Sequence, residues 1–281
     1  MSHKEPDAVA AAFHTALATA PAAVEVLSAT KTYANGTVAL QPIDLTVREG
    51  EFVTLLGPSG CGKSTLLKMV AGLLDPTDGR LHLWRKPVKA LEETHHKLAF
   101  VFQSPTLMPW ASVAGNVRLP LDLAGLPRAE SDARVAEALG LVGLTRFATA
   151  LPRALSGGMQ MRVSIARSLV VQPDLLLMDE PFGALDEITR HKLDADLLEL
   201  WLGKKLTVVF VTHSIHEAVF LSTRVIMMAA RPGRIVDEVP IDEPYPRTPE
   251  FMVTPRFAKY AKRLQDSLLR ASQDTDEEAR A

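Results

Sequence analysis

Lys63 and Ser64 follow a pair of glycines, Gly57 and Gly62, that bracket Pro58-Ser59-Gly60-Cys61, and Thr65 closes the segment. Glycines at those positions let the backbone turn its N–H groups inward, so that loop and following helix start form a cradle for a polyphosphate. Lys63 adds a point charge for the outer phosphates, and the Ser64 hydroxyl is placed to hold Mg²⁺. A second centre of chemistry is Asp179-Glu180, directly after the apolar run Leu175-Leu176-Leu177-Met178. At the end of a buried strand, one acid can hold a hydrated Mg²⁺ while the other orients and polarises a water. Gln103 follows the apolar stretch that ends at Phe102, and His213 follows the one that ends at Thr212. A strand-end glutamine can reach a metal or an attacking water, and a strand-end histidine can contact an outer phosphate. Read singly, each has a bland alternative: a loop amide, a structural pair of acids, a structural histidine. Ser156-Gly157-Gly158 before Met159-Gln160 is a second anion site by the same backbone logic, and a common helix cap when taken alone.

The elements that must carry these residues are legible in the pattern. Val24 to Tyr33 alternates and carries β-formers, with the turn signal Asn35-Gly36 behind it, and Ile43 to Val47 alternates again. Together they predict an antiparallel layer, with Tyr33 at a strand end where its ring can stack on a base. Phe52 to Leu56 reads as the strand that feeds the glycine loop, and Leu66, Leu67, Met69 and Val70 give the helix that leaves it. From Ser104 to about Leu155 the pattern turns helical, over Val113 to Leu123 and again over Ser131 to Leu139 with Ser131 as its cap. Ahead of both, Leu107-Met108-Pro109-Trp110 is an apolar loop that suits a protein partner or turns its tryptophan to the core. Arg190 to Leu202 is helical, Val225 to Met228 and Val236 to Val239 are strands, and Arg231-Pro232-Gly233-Arg234-Ile235 is the turn between them. After Pro244 an amphipathic helix runs through Phe257, Tyr260, Leu264 and Leu268, and 272–281 has the composition of a disordered end.

A chain of 281 residues, 47% of them hydrophobic, can bury one large core or two lobes. The net charge of −2 offers no long-range field for nucleic acid, so none is expected as a partner. Cys61 is the only cysteine, which excludes an intrachain disulfide and fits a reducing compartment. Its place inside the loop predicts a thiol that bound nucleotide would shield and whose alkylation would intrude on the phosphates. No apolar run approaches the ~20 residues that span a bilayer. The alanine-rich start, with His3, Lys4, Glu5 and Asp7, lacks the pattern of a signal peptide and reads as a flexible extension over 1–23.

From Val24 to about Val239 the order of motifs resembles the ATP-binding cassette of ABC transporters. Tyr33 matches the aromatic adenine platform, Gly57 to Thr65 the Walker A loop, and Gln103 the Q-loop. Ser156-Gly157-Gly158 with Gln160 matches the signature, Asp179-Glu180 the Walker B acids, Ala184-Leu185-Asp186 the D-loop, and His213 the switch histidine. Gly183 stands where a serine is frequent, and Met161 where a polar residue is usual. The resemblance implies an α/β P-loop NTPase fold with a RecA-like mixed-sheet core, an N-terminal antiparallel β layer and an inserted helical subdomain. It divides the chain into the extension, a cassette over 24–243 with the helical subdomain at about 104–172, and a helical tail over 244–281.

It further implies ATP and Mg²⁺ as ligands, with Ser64, Gln103 and Asp179 around the metal and Glu180, His213, Lys63 and Gln103 as the catalytic set. Two copies would pair head to tail so that each signature completes the other's site. Leu107 to Val113 and Arg231 to Ile235 resemble the importer subfamily for nitrate, sulfonates and taurine. An importer implies permease subunits docked near Gln103 to Val113, a substrate-binding protein beyond them, and a peripheral place on the cytoplasmic face of the cell membrane. The alternatives are an ABC ATPase of DNA or ribosome processes, against which the lack of a long coiled coil and of a second cassette argues, and an exporter-type ATPase.

Overall fold

Runs such as Leu175-Leu176-Leu177-Met178 and Val208-Val209-Phe210-Val211 have no polar face, and strands of that kind persist only where both faces of a sheet are covered. The computed structural model, which describes residues 15–278, builds its central sheet from them. In chain order the elements are β1 Ala22–Thr32, β2 Val38–Arg48, β3 Phe52–Leu56, α1 Lys63–Val70, β4 Asp78–Leu83, β5 Lys86–Pro87 and β6 Leu98–Val101. Then follow α2 Val113–Leu123, α3 Arg128–Leu141, α4 Gly157–Leu169, β7 Leu175–Asp179, α5 Glu187–Lys204, β8 Thr207–Thr212, α6 Ile215–Leu221, β9 Arg224–Ala229, β10 Arg234–Pro240 and α7 Pro255–Glu278.

One sheet has the order β10-β9-β3-β8-β7-β6, parallel except for β10, and the other is antiparallel in the order β2-β1-β4-β5. The central strands send alternate residues to opposite cores. Phe52, Leu176, Met178, Val208 and Phe210 face the helices α2 to α6 and the tail, whereas Val53, Leu55, Leu175, Leu177 and Val209 face α1 and the antiparallel layer. The helix that leaves the glycine loop is thus clamped between two sheets, with Leu66, Leu67 and Met69 buried.

The helices α2, α3 and α4 form one packed group, with α4 against β6. Ser112 caps α2 by accepting from the Gly115 N–H at 3.1 Å. The fully buried Asn116 fixes the loop before it, accepting from the Met108 N–H at 2.7 Å and donating to the carbonyls of Met108, Ala111 and Ser112. Trp110 stands on that loop 78% exposed, so the core-facing alternative does not hold. The cap expected at Ser131 is wrong: α3 starts at Arg128 behind Pro127, and Ser131 is buried within it. Proline at the residue before the first turn sets the chain's entry, which leaves Ser131 buried with its hydroxyl directed at the Leu126 carbonyl rather than at solvent.

The tail also differs from expectation. Phe257 and Leu264 of α7 are buried against the main core as the spacing predicts, but the helix continues to Glu278 instead of giving way to disorder at 272. Once a helix is nucleated by its packed part, each further residue adds a hydrogen bond at little cost. Of the extension expected over 1–23, residues 1–14 lie outside the described part, 15–19 are helical, and β1 already begins at Ala22. The last three residues of the tail also lie outside the described part.

Arg247 binds the tail to the cassette core. Its guanidinium, 5% exposed, donates to the carbonyls of Val219, Phe220 and Ser222 at 2.9–3.1 Å, and to those of Ile241 and Glu243 at 3.1 Å. These include the carbonyls that α6 leaves unpaired at its C-terminal end. The Tyr245 ring covers the guanidinium with its centroid 4.1 Å from the Arg247 Cζ. The fold also buries an acid: Asp194 on α5 is 1% exposed, its Oδ1 has no hydrogen-bond partner, and burial with the neighbouring Glu217 pushes its carboxyl up to about 8 against the pull of Arg190.

Replacing Arg247 by Met removes these bonds and strands the carbonyls, at a cost of about 3 kcal/mol. The thermal midpoint of R247M is expected roughly 5–10 °C below wild type in calorimetry. Asp194 is protonated in the fold at pH values where the unfolded chain carries a charge, so its contribution is fully present below about pH 4 and is lost as pH rises toward 8. D194N abolishes that loss, so its stability advantage over wild type grows between about pH 5 and pH 8 by up to ~1.4 kcal/mol per unit, measured by denaturant titration across pH.

Candidate active site

Four neighbouring strands of the central sheet, β3, β8, β7 and β6, run parallel and end at the same edge. Each is followed at once by chemistry: β3 by Gly57, β8 by His213, β7 by Glu180 after its last residue Asp179, and β6 by Phe102-Gln103. Leu56 pairs with Thr212 and Asp179 with Val211, so the strand ends are level.

The glycine loop requires its glycines for space. Gly62, the residue before α1, has φ of 89°, and a Cβ there would lie 2.4 Å from Leu40 Cδ2. A Cβ on Gly57 would lie 2.4 Å from the Met228 carbonyl oxygen. The loop therefore presses against both the antiparallel layer and β9, and its form is imposed from outside. The N–H groups of Lys63, Ser64 and Thr65, in the first turn of α1, have no acceptor within the helix. They remain free to face an anion.

Lys63, 4% exposed, donates to the carbonyls of Gly57 at 2.7 Å and Pro58 at 3.0 Å, and its Nζ lies 3.7 Å from Glu180 Oε1. Ser64 donates its hydroxyl to Asp179 Oδ1 at 2.6 Å. Burial pushes the Asp179 carboxyl up, opposed by that bond and by Lys68 and Lys63 and reinforced by Glu180. Glu180 is the meeting point of the rest. Its Oε2 lies 3.3 Å from His213 Nδ1 and accepts from Gln103 Nε2 at 3.5 Å. Its backbone sits in the left-handed region at φ 46°, tied by its N–H to the Val211 carbonyl at 3.0 Å. A glutamate held there is strained, a condition that persists where the surroundings dictate it and that concentrates at functional sites.

Gly60, Gly62 to Thr65, Gln103 and Glu180 line a cleft of about 470 Å³ together with Tyr33 and Thr37 to Ala39. Tyr33 is 42% exposed, with its hydroxyl 3.1 Å from Thr65 Oγ1. One wall of the cleft, Arg231 and Pro232, was not among the expected site residues, although the turn at 231–233 is legible in the sequence. Also unforeseen is a support behind His213. Arg190 donates to the Leu185 carbonyl at 3.0 Å and lies 3.5 Å from Glu217 Oε1, while Glu217 accepts from the Thr212 hydroxyl.

Cys61 differs from expectation. It is fully buried and burial pushes its thiol up despite Lys63, so a reagent meets neither an open path nor a ready thiolate.

Ser156, Gly157, Gly158 and Gln160 do not enter the cleft. Ser156 caps α4 by accepting from the Met159 N–H at 3.3 Å, and Gln160 donates to the carbonyls of Pro152 and Leu155. The signature glycines face Leu185 and Thr189 of the same chain. Ala184 is exposed, and Asp186 caps α5 by accepting from the Thr189 N–H at 3.0 Å, a bond that holds its carboxyl below the usual range. Where a serine is frequent, Gly183 leaves open room: a Cβ there would lie 3.6 Å from His213 Cε1, an ordinary contact.

The oxygen donors Ser64 Oγ and Asp179 Oδ1, in direct contact, suit Mg²⁺, which prefers a few protein oxygens and completes its shell with phosphate and water. No cluster of three or more metal-ligating acids, histidines or cysteines occurs among the described residues, so a cation here would depend on the phosphates for its other ligands.

The family profile described as "ABC transporter" matches residues 40–183. The chain is 49% identical over 204 residues to the taurine import ATP-binding protein TauB of Rhizobium johnstonii, spanning 73% of this chain and 77% of that protein. It is 41% identical over 238 residues to the nitrate import ATP-binding protein NrtD of Synechococcus elongatus, spanning 83% and 85%. Among solved structures, the dimeric ATP-binding cassette MJ0796 in a post-hydrolysis state with ADP and Pi superposes with a TM-score of 0.70 at 35% identity, covering 78% of this chain and 98% of that one. The profile spans the glycine loop, Gln103, the signature and the paired acids, and the relatives match over most of their length; on that evidence this chain belongs to the ABC transporter family and is its ATP-hydrolysing cassette.

Proposed function

We propose that the chain powers an importer of small organic or inorganic solutes, of the taurine, sulfonate or nitrate type, by binding and hydrolysing ATP between two copies of itself. The observation that carries the catalytic part is the convergence of Lys63, Gln103 and His213 on Glu180, with Ser64 on Asp179 beside it. In this reading the loop N–H groups and Lys63 bind the β- and γ-phosphates, and Tyr33 stacks on the base. Mg²⁺, held by Ser64 and Asp179 with Gln103 near the γ-phosphate, would offset the phosphate charge. Glu180 accepts a hydrogen bond from the attacking water and aligns it, and His213, whose Nδ1 faces Glu180, turns its other nitrogen toward the γ-phosphate.

The pairing of two copies is supported by what one chain leaves undone. The signature N-terminus of α4 lies outside the cleft that holds the loop, so it needs a cleft on another copy to act on phosphate. The dimeric neighbour with ADP and Pi supports the same arrangement. The solute class is supported by the names of the relatives, taurine being itself a sulfonate. No helix among the described residues is long and apolar enough to cross a membrane, so movement of solute falls to permease subunits. The exposed Trp110, on a loop fixed by Asn116, supports docking near Gln103 to Val113. In this reading the subunit sits peripherally on the cytoplasmic face, with a substrate-binding protein as an indirect partner. The division into an extension over 1–23, a cassette over 24–243 and a tail over 244–281 belongs to the same proposal.

Glu180→Gln keeps the shape of the side chain and removes its charge as acceptor for the water. The variant is expected to hydrolyse ATP at least ~10²-fold more slowly and to run as a dimer with Mg-ATP in light scattering. A variant that stays monomeric at saturating Mg-ATP overturns the shared-site reading, and one that hydrolyses at the wild-type rate overturns the role of Glu180.

A further inference from the structure

We propose that Arg231 is a nucleotide-binding residue, a cation at the rim of the cleft that contacts the ribose and α-phosphate of the bound nucleotide; this rests on the reading of the cleft as the ATP site. Arg231 and Lys63 are the cations that line the cleft, and they are held differently. Lys63 is committed to its own loop carbonyls. Arg231 is exposed and has no hydrogen-bond or ion-pair partner among the described residues. Its backbone adopts φ of 58°, a left-handed conformation that costs an arginine ~1 kcal/mol.

The turn that carries Arg231 is attached to the site rather than free. The Gly233 N–H donates to the Ala39 carbonyl at 3.0 Å, and the Gln41 N–H donates to the Gly233 carbonyl at 2.9 Å. A Cβ on Gly233 would lie 2.4 Å from the Cys61 carbonyl oxygen and 2.7 Å from that of Ala39. Only glycine permits so close an approach, so the turn is set against the phosphate loop and β2 together. Ala39 lies two residues after Thr37, whose carbonyl takes the Tyr33 N–H at 2.9 Å, whereas Gln103 and Glu180, in contact with each other, are the groups read as acting at the γ-phosphate. Arg231 therefore meets the part of the ligand that ATP and ADP share. An interaction equal in the ground and transition states changes binding and leaves the rate of the bound complex alone.

Four full-length proteins decide the matter: wild type, R231M, R231K and K63A, each titrated with Mg-ADP by calorimetry and assayed for steady-state ATP hydrolysis. R231M is expected to bind ADP about tenfold more weakly and to raise KM for ATP by the same factor, with kcat within twofold of wild type; R231K recovers part of the loss. The nucleotide-free thermal midpoint of R231M stays at the wild-type value, because no contact within the protein is lost. If R231M binds ADP as wild type does while K63A has lost binding, the cleft is the nucleotide site and Arg231 plays no part in it. If K63A also binds as wild type does, the proposal falls with the reading of the cleft. A lowered kcat at unchanged KM would assign Arg231 to the phosphoryl end and overturn the proposal as well.

Discussion

Register across the parallel strands β3, β8, β7 and β6 is the constraint on which the site depends. A strand that slipped by one residue against its neighbour would exchange its two faces, and here both faces are buried in different cores, so the slip is blocked by packing on each side. The consequence is chemical. With Leu56 level with Thr212 and Asp179 level with Val211, the residues just past the strand ends are delivered to one small region: Gly57, His213 and Glu180. Side chains from segments more than a hundred residues apart in sequence then come into contact, as Ser64 and Asp179 do at 2.6 Å. The site is assembled by hydrophobic strands that contain none of its reactive groups.

Behind the strand ends a layer of buried polar groups holds the reactive edge in shape. The Arg190 guanidinium joins the Leu185 carbonyl to Glu217, Glu217 takes the Thr212 hydroxyl, and the same Thr212 oxygen accepts the Ser214 N–H at 2.9 Å. The connection runs from the segment Ala184-Leu185-Asp186 to the residue immediately before His213. Burial pushes the Glu217 carboxyl up, and the Thr212 bond and Arg190 act against it. A buried carboxylate is tolerated only when such partners are in place, so displacement of Leu185 would be felt at Glu217 and at the strand end. If the exposed Ala184 and Asp186 meet a second copy, this is the route by which pairing would reach His213.

The sequence was informative wherever local chemistry decides structure. Alternation predicted the antiparallel layer, apolar runs predicted the buried strands, and the strand, glycine loop and helix at Phe52 to Val70 have the predicted order. Sequence failed where tertiary contact decides. Ser131 has the composition of a cap, but Pro127 sets the start of α3 and turns it inward. Cys61 sits in a loop whose neighbours bind ligand, yet its side chain points into the core beneath Gly57, which no spacing rule reports. The support of Arg190 and Glu217 and the wall at Arg231 join residues far apart in the chain. They leave a local trace only in Gly233, whose missing side chain allows the approach.

The binding of Lys63 to its own loop decides how that residue contributes to affinity. A buried ammonium must have its donors satisfied, and the carbonyls of Gly57 and Pro58 do this within the protein. When a phosphate takes over one of those donors, a hydrogen bond is exchanged for another, and the gain is the difference between a neutral and a charged acceptor. Glu180, 3.7 Å from the same ammonium, already supplies part of that charge and would repel an incoming phosphate. Lys63 therefore adds to affinity through that change of acceptor, while Glu180 is placed to respond to charge that moves during cleavage. The rest of the attraction falls to donors without partners: the N–H groups at the start of α1 and a cation elsewhere on the rim. A site divided in this way binds through one set of groups and reacts through another, and substitutions in the two sets should separate KM from kcat.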